Sequence, residues 1–265
     1  MTPRPDPLTL QLRELPAFRA LLRSIECRLF DAAGALDQPQ LDLGCGDGHF
    51  ARLAYHSAPA VGVDVNAARL NEAKQRRSHR LLLTAKAQSL PLPDSSMASI
   101  TANCVLEHIP PLDLALKEAL RVLQPGGRFI FGVPSHRFAD MLLGATLLRR
   151  IHLQHWAAAY GSWFNRHSEH HHVYSPAEWI VRLQDHGFDV EHWEYYMSAP
   201  GLRAFDLCHY LGLPRLLSYR LTGRWVVRPI GPVNRLYERW LRPHYEAPAP
   251  DEGAYIFFHA RKPNV

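Results

Sequence analysis

A glycine-rich turn directly after a short apolar segment constrains the fold of this chain more than any other feature. Residues 41–50 have the sequence LDLGCGDGHF, with glycine at three alternate positions. Because glycine lacks a Cβ atom, such a turn lets the backbone pass close to a ligand. Asp64 ends the next apolar segment, and an acid there can accept hydrogen bonds from both ribose hydroxyls of a nucleotide. The pattern predicts a strand–turn–helix unit with a nucleotide site.

Apolar segments alternate with helix-compatible segments across residues 40–133. Strands are predicted at residues 40–43, 60–64, 80–85, 97–103 and 128–133. Helices are predicted between them at residues 50–57, 67–77 and 111–123, the last stopped by Gln124-Pro125-Gly126-Gly127. This alternation predicts βαβ units with a parallel sheet covered on both faces. The predicted fold class is α/β.

The pattern changes on either side of this region. A helix at 176–186 and strands at 188–196 and 254–260 follow it, and long stretches at about 135–172 and 198–252 interrupt them. We expect these stretches to be insertions in one catalytic domain, residues 38–265. Residues 1–37 are predicted to be a helical segment, broken at Pro16.

Composition excludes several classes of protein. With 47% apolar and 21% charged residues, the chain has the balance of a globular protein with a core. No apolar run is long enough for a membrane-spanning helix, and residues 1–7 lack the apolar stretch of a secretory signal. The four scattered cysteines contain no CxxC pair, which favours reduced thiols, a cytoplasmic location and no metal site. The net charge of +5 permits several anionic partners and selects none.

The kind of nucleotide follows from spacing and charge. A dinucleotide site favours G-x-G-x-x-G, whereas this turn has G-x-G-x-G with Asp42 before it and Asp47 inside it. Two carboxylates would repel a pyrophosphate but suit a cationic ligand that carries an ammonium and a sulfonium. Two simpler interpretations stay open, namely a plain tight turn and Asp64 as the cap of the helix that begins at Ala67.

Five segments together resemble class I S-adenosylmethionine-dependent methyltransferases, above all the subgroup that acts on small molecules. These segments are residues 41–50, Asp64, residues 90–94, residues 103–109 and residues 123–129. The resemblance implies a Rossmann-like, seven-stranded, mostly parallel sheet with an antiparallel last strand. It also implies S-adenosylmethionine as the cofactor. From their composition, we expect the two insertions to form helical segments of a lid over the acceptor.

The resemblance also implies a set of cofactor-binding residues. Those expected along the methionine part are Asp42, Gly44, Gly46 and Asn103. Those expected along the adenosine part are Asp64 at the ribose and Val65, Ala87 and Gln88 at the adenine. Cys45, in the same turn, is expected to pack there and not to act as a nucleophile. The chain departs from the family at Lys86 and Ala98, where an acid is common, and Lys86 cannot accept a hydrogen bond from the adenine amino group.

Histidines are the candidate catalytic residues. Residues 167–172 contain four of them, and an extended backbone would point His170 and His172 to one side. Three interpretations are open: a base or substrate-orienting patch, a solvated loop, and a metal site that would need a further ligand elsewhere. His108, close to the cofactor by the family pattern, is a second candidate base or a helix-entry residue.

The second insertion mixes aliphatic, aromatic and arginine side chains. Its distinctive residues are Leu216, Leu217, Tyr219, Arg220, Leu221, Arg224, Trp225, Arg235, Leu236, Tyr237, Arg239, Trp240, Leu241 and Arg242. This composition is typical of a lid over a pocket, of a membrane or lipid-linked substrate contact, or of a nucleic-acid contact. Nucleic acid is disfavoured, since the sequence contains no recognisable RNA-binding module.

The sequence therefore predicts methyl transfer to a small or medium-sized metabolite, most simply to oxygen. Two alternatives stay open: a lipid-linked or macromolecular (RNA or protein) acceptor, and a non-catalytic nucleotide-binding protein. Lys86 is the residue that motivates the second alternative.

Overall fold

The computed structural model describes residues 6–212, 220–222, 226 and 230–264. The described residues divide into two compact units. One unit consists of the described residues of Met1–Arg28, Arg137–Phe164 and Tyr195–Ala254. The other consists of those of Leu29–His136, Asn165–Glu194 and Tyr255–Val265. We call them the helical unit and the sheet unit.

The sheet has seven strands in the order β3-β2-β1-β4-β5-β7-β6. Their bounds are β1 Gln40–Leu43, β2 Val61–Asp64, β3 Leu81–Thr84, β4 Met97–Asn103, β5 Leu123–Pro134, β6 Asp189–Tyr196 and β7 Tyr255–Arg261. Strands β1 to β5 pair in parallel, and β7 pairs antiparallel to β5 from Arg128↔Arg261 to Pro134↔Tyr255. The predicted α/β class, with its mostly parallel sheet and antiparallel last strand, is confirmed.

The helices of the described residues have defined bounds, and local sequence signals explain where two of them begin. Their bounds are α1 Pro7–Glu14, α2 Ala17–Ala32, α3 His49–Ala54, α4 Ala67–Arg76, α5 Leu112–Val122, α6 Phe138–Met141, α7 Leu143–Arg150, α8 Gln154–His167, α9 Pro176–Asp185, α10 Ala199–Leu211 and α11 Gly231–Tyr245. Asn66 caps α4 by accepting from Ala68 and Arg69 N–H, and Ser175 with Glu178 forms a capping box at α9.

Strand β5 begins earlier than the sequence predicts. Helix α5 ends at Val122, near its predicted end, but the Gln124–Gly127 segment continues the strand instead of forming a loop. Gly126 N–H donates to the Lys262 carbonyl (2.9 Å), and Lys262 N–H donates to the Gly127 carbonyl (3.0 Å). This pairing with the end of the chain is a long-range effect that residues 123–127 do not encode locally.

The helical unit contains α1 and the helices of both predicted insertions. Helix α1 binds α11 through Arg242, which donates to Asp6 (2.8 Å), and through Thr9 Oγ1, which donates to Glu238 (2.9 Å). The predicted break at Pro16 is confirmed, since α1 ends at Glu14 and α2 begins at Ala17. Five of the residues named in the second insertion lie outside the described part of the chain: Leu216, Leu217, Tyr219, Arg224 and Trp225.

Two further properties of the described residues concern membranes and metals. No helix among them combines the length and the apolar character that crossing a bilayer requires. No group of three or more histidine, cysteine or acidic side chains among them is arranged to hold a metal ion.

Candidate cofactor site and neighbouring histidines

The glycine turn joins the carboxyl end of β1 to α3. Gly44, Gly46 and Gly48 have φ values of +71°, +55° and +71°, which side chains rarely adopt. A Cβ atom on Gly44 would overlap the side chain of Val105, and one on Gly48 would overlap Ser78. A Cβ atom on Gly46 would meet nothing within 4 Å. Packing therefore requires two of the glycines, whereas Gly46 borders open space that a ligand can fill.

Asp64, at the carboxyl end of β2, connects that strand to the glycine turn. One carboxylate oxygen accepts from Gly46 N–H (2.9 Å) and the other accepts from Asn66 N–H (2.8 Å). Asn66, and not Asp64, caps α4, so the helix-cap interpretation of Asp64 is wrong. The acid instead holds the turn at the edge of the sheet.

Asp42 lies beneath the turn in a buried hydrogen-bond network. Its side chain accepts from Tyr55 Oη (2.9 Å) and contacts His79 Nε2 (3.0 Å). His79 Nδ1 lies 2.8 Å from Ser78 Oγ. Because a buried carboxylate is costly unless it is hydrogen-bonded, these partners stabilise Asp42 below the loop. Neither Ser78 nor His79 belongs to a sequence pattern that would have predicted this contact.

The residues expected at the adenine lie after β2 and β3. The side chain of Val65 is 66% exposed, an unusual position for a large aliphatic residue next to a buried strand. Ala87 is buried, and Gln88 Nε2 donates to the Pro110 carbonyl (3.3 Å). Lys86 is exposed and closes a turn with Ser89 through its carbonyl. Parallel strands end at one edge of the sheet, so these residues and the glycine turn share that edge.

The remaining residues of the turn have defined electrostatic surroundings. Asp47 accepts from His49 N–H (3.1 Å) and forms an ion pair with Arg76 (3.2 Å). Burial, together with Asp42 and Asp64, raises the pKa of the Cys45 thiol far above its usual range, so the thiol stays neutral. Asn103 ends β4 and is largely buried. Cys45 is therefore buried in the turn with a neutral thiol, and its predicted place among the cofactor-binding residues stays a prediction.

His108 follows β4, at the same carboxyl edge. Its Nδ1 lies 3.0 Å from the Glu169 carbonyl, which can only accept, so Nδ1 carries the hydrogen. The other ring nitrogen, Nε2, lies 3.7 Å from a carboxylate oxygen of the buried Glu107. The unprotonated nitrogen of His108 is therefore next to a buried carboxyl group.

His170 and His172 belong to the segment that follows α8. The His170 ring lies 5.6 Å from the His108 ring, and its Nδ1 contacts the Asn165 side chain (3.2 Å). Burial, with a smaller effect of His108, lowers the pKa of His170 to about 4. His172 uses both ring nitrogens, Nε2 to the Ile109 carbonyl (3.0 Å) and Nδ1 to Tyr174 Oη (3.1 Å). The structure thus groups His108 with His170 and gives His172 separate partners.

The family follows from this geometry together with a sequence comparison. A family model described as a methyltransferase domain matches residues 17–193, which include the glycine turn, Asp64 and all three histidines. The chain belongs to the class I S-adenosylmethionine-dependent methyltransferases. The methyltransferase also resembles the solved structure of a geranyl diphosphate C-methyltransferase from Streptomyces coelicolor A3(2). That likeness has a TM-score of 0.54 and 16% identity, covers 92% of this chain and 81% of the other, and concerns the fold alone.

Curated relatives match a shorter stretch of the methyltransferase. It is 38% identical over 100 residues to a malonyl-(acyl-carrier protein) O-methyltransferase from Methylococcus capsulatus, covering 34% of this chain and 35% of the relative. It is 36% identical over 115 residues to the ubiquinone/menaquinone biosynthesis C-methyltransferase UbiE of Methylobacterium nodulans, covering 39% and 40%. The chain thus spans well under half the length of either relative.

Proposed function

We propose that this methyltransferase binds S-adenosylmethionine along the carboxyl ends of β1, β2 and β3 and methylates oxygen on a small or medium-sized metabolite. The observation that carries the proposal is the hydrogen bond from Gly46 N–H to Asp64 (2.9 Å). It holds Asp64, the acid that this proposal assigns to the ribose, beside the one glycine of the turn that borders open space.

The residues at this edge fit the cofactor. A cationic ligand suits a site with Asp42 in β1, Asp47 in the turn and Asp64 at the end of β2, since opposite charges attract. The exposed side chain of Val65 offers an apolar surface to an adenine ring. Lys86 is exposed and supplies no acceptor, so adenine recognition in this proposal uses the backbone and apolar contacts around Ala87 and Gln88.

The bound cofactor supplies an electrophilic methyl group on a positively charged sulfur. In the proposal, His108 Nε2 would accept the proton of an acceptor hydroxyl as its oxygen bonds to the methyl carbon and the carbon–sulfur bond breaks, which would leave a neutral thioether. Glu107, 3.7 Å from Nε2, favours the protonated imidazole that results. His170 is less suited to this role, because burial lowers its pKa to about 4 and makes it a weak base at neutral pH.

His170 and His172 have positioning roles in this proposal. The His170 ring packs 5.6 Å from that of His108, and His172 holds the segment to Ile109 through its Nε2. Because both ring nitrogens of His172 already have partners, it is poorly placed to take a proton from an acceptor.

The proposal that oxygen is the methylated atom rests on His108 as a base and not on the names of the relatives. Of the two curated relatives, one is named for O-methylation and the other for C-methylation. An imidazole with a hydrogen-bonded Nδ1–H and a basic Nε2 is the arrangement that a hydroxyl acceptor needs. The cytoplasmic location inferred from the cysteines stays a prediction.

The test separates binding from turnover. Calorimetric titration with S-adenosylmethionine measures affinity, and transfer of labelled methyl groups into a small-molecule cell extract measures turnover. We expect Asp64→Ala to lose affinity and therefore turnover. His108→Asn should keep the affinity and lower turnover by about 10²–10⁴-fold.

The control is Asp185→Ala, which removes an exposed acid at the end of α9 and should change neither quantity. Wild-type protein without affinity for the cofactor would favour the non-catalytic alternative. Label that enters only RNA or protein of a whole extract would replace the small-molecule acceptor with a macromolecular one.

A further inference from the structure

The turn between α7 and α8, in the helical unit, exposes large apolar side chains. Six consecutive residues, Ile151 to Trp156, are exposed, and both Ile151 and Trp156 have 63% of their surface accessible. We define the tryptophan face as the exposed apolar residues of this hairpin: Leu147, Ile151, Leu153, Trp156 and Trp163. Single exposed apolar residues are common on any protein surface, whereas a cluster of large ones marks an interaction site.

The tryptophan face is not the side of α8 that packs in the helical unit. Ala157, Gly161 and Phe164 are buried on one side of the helix, whereas Trp156 and Trp163, seven residues apart, share another side. An open apolar groove of about 380 Å³ runs along that side. It is lined by Leu148, Leu153, Trp156, Ala159, Tyr160 and Trp163. Trp156 and Trp163 therefore lie outside the buried side of α8 and border this groove.

The segment that bears the tryptophan face contains basic and no acidic side chains. Residues 143–164 contain Arg149 and Arg150 but no aspartate or glutamate. Arg149 turns back to bind Asp140, whereas Arg150 is exposed at the end of α7. His152 and His155 are exposed within the turn itself. A surface with this charge is complementary to an anionic partner.

Tryptophan beside arginine favours one kind of anionic partner. Tryptophan concentrates where a bilayer meets water, because its ring is apolar and its N–H stays near the headgroups. Arginine next to such a surface gains from anionic headgroups. An apolar groove parallel to the helix can accommodate an acyl chain, which a charged polymer such as RNA does not provide.

We propose that the tryptophan face binds the surface of a bilayer containing anionic lipids, with Ile151 and Trp156 entering the interface and Arg150 contacting headgroups. The turn between α7 and α8 thereby holds the methyltransferase at the membrane. This inference concerns residues outside the cofactor site and does not depend on the proposed function.

Sedimentation with vesicles tests the proposal on the full chain. Vesicles of phosphatidylglycerol and phosphatidylcholine in equal parts are compared with vesicles of phosphatidylcholine alone. We expect the wild type to bind the anionic vesicles. The affinity of the double variant Ile151→Ser, Trp156→Ser should be lower by a factor of about ten or more. Arg150→Glu should weaken binding to the anionic vesicles only.

The matched control is the double variant Leu114→Ser, Val181→Ser, which removes two exposed apolar side chains from α5 and α9 of the sheet unit. It should bind vesicles as the wild type does. Both double variants should keep wild-type circular dichroism, since all four positions are exposed.

Equal binding by the wild type and the Ile151→Ser, Trp156→Ser variant would overturn the proposal. A second result would also overturn it: the wild type does not bind vesicles, and light scattering gives a smaller particle size for the Ile151→Ser, Trp156→Ser variant than for the wild type. That result would assign the tryptophan face to self-association.

Discussion

His79 is a buried residue whose two ring nitrogens both have partners. A carboxylate can only accept, so His79 Nε2 carries the hydrogen directed at Asp42, and Nδ1 faces the Ser78 hydroxyl. Tyr55 completes the network from the end of α3. His79, two positions before β3, therefore helps to hold Asp42 below the glycine turn. This contact depends on the strand order β3-β2-β1, which brings the start of β3 close to β1.

His170 should make the stability of the folded protein depend on pH. Burial lowers its pKa from 6.5 to about 4, so folding favours the neutral ring. Its contribution is fully present above about pH 6.5 and is lost as the pH falls towards 4. We expect the free energy of unfolding to fall by up to about 3 kcal/mol over that range, because each pKa unit corresponds to about 1.4 kcal/mol. Urea denaturation at a series of pH values measures the loss.

The variant His170→Gln removes the titrating ring and should flatten that part of the pH profile. His171→Gln, which changes an exposed neighbour, is the matched control and should keep the wild-type slope. A His170→Gln profile that parallels the wild-type profile between pH 6.5 and 4 would contradict the assignment.

Among the elements, the turn between β1 and α3 combines two requirements that a sequence pattern does not separate. Gly44 and Gly48 are needed because a Cβ atom would overlap Val105 or Ser78. Gly46 has a positive φ, but open space lies next to it. A side chain at Gly46 should therefore interfere with a ligand more than with the fold.

Gly46→Ala and Gly34→Ala provide a matched comparison. Both glycines have positive φ (+55° and +77°), and a Cβ atom on either would meet nothing within 4 Å. Each substitution should therefore destabilise the fold by about 1 kcal/mol, from backbone strain alone. Only Gly46→Ala should weaken S-adenosylmethionine binding, because only its methyl group would occupy the ligand's space. Thermal denaturation and calorimetric titration measure the two effects, and equal affinities for both variants would contradict this prediction.

Element prediction succeeded where the signal is local. Ser175, Pro176 and Glu178 form a start signal for α9 within four residues, and the structure has the capping box. In contrast, β5 begins at Leu123 because Gly126 and Lys262 pair, which requires the other end of the chain. Helix α7, by contrast, follows Leu142, which makes no side-chain cap, and the sequence offered no clear boundary for it.

At the scale of the whole molecule, all the implied cofactor residues belong to the sheet unit, and the tryptophan face belongs to the helical unit. A ligand at the cofactor site should therefore slow amide hydrogen exchange around the turn after β1 and around Asp64. We expect exchange in α7 and the first half of α8 to change little. Hydrogen-exchange mass spectrometry with S-adenosylhomocysteine measures both regions, and protection confined to α7 and α8 would contradict the placement of the site.

Anionic vesicles should have the opposite effect on the same peptides. If the tryptophan face binds the bilayer, α7 and α8 gain protection while the turn after β1 is unchanged. The two experiments together distinguish a failure of the cofactor site from a failure of the membrane proposal.

The sequence by itself determined the α/β class and the glycine turn, because these follow from periodicity and glycine spacing, and it indicated the family through the resemblance of five segments. It left open whether Asp64 caps a helix, and the structure decided this through the Gly46 contact. The network of Asp42, Tyr55 and His79 and the exposure of Trp156 were also decided by the tertiary structure. Both depend on which distant segments pack together, and hydrogen-bond partners and solvent exposure are properties of that packing and not of neighbouring residues in the chain.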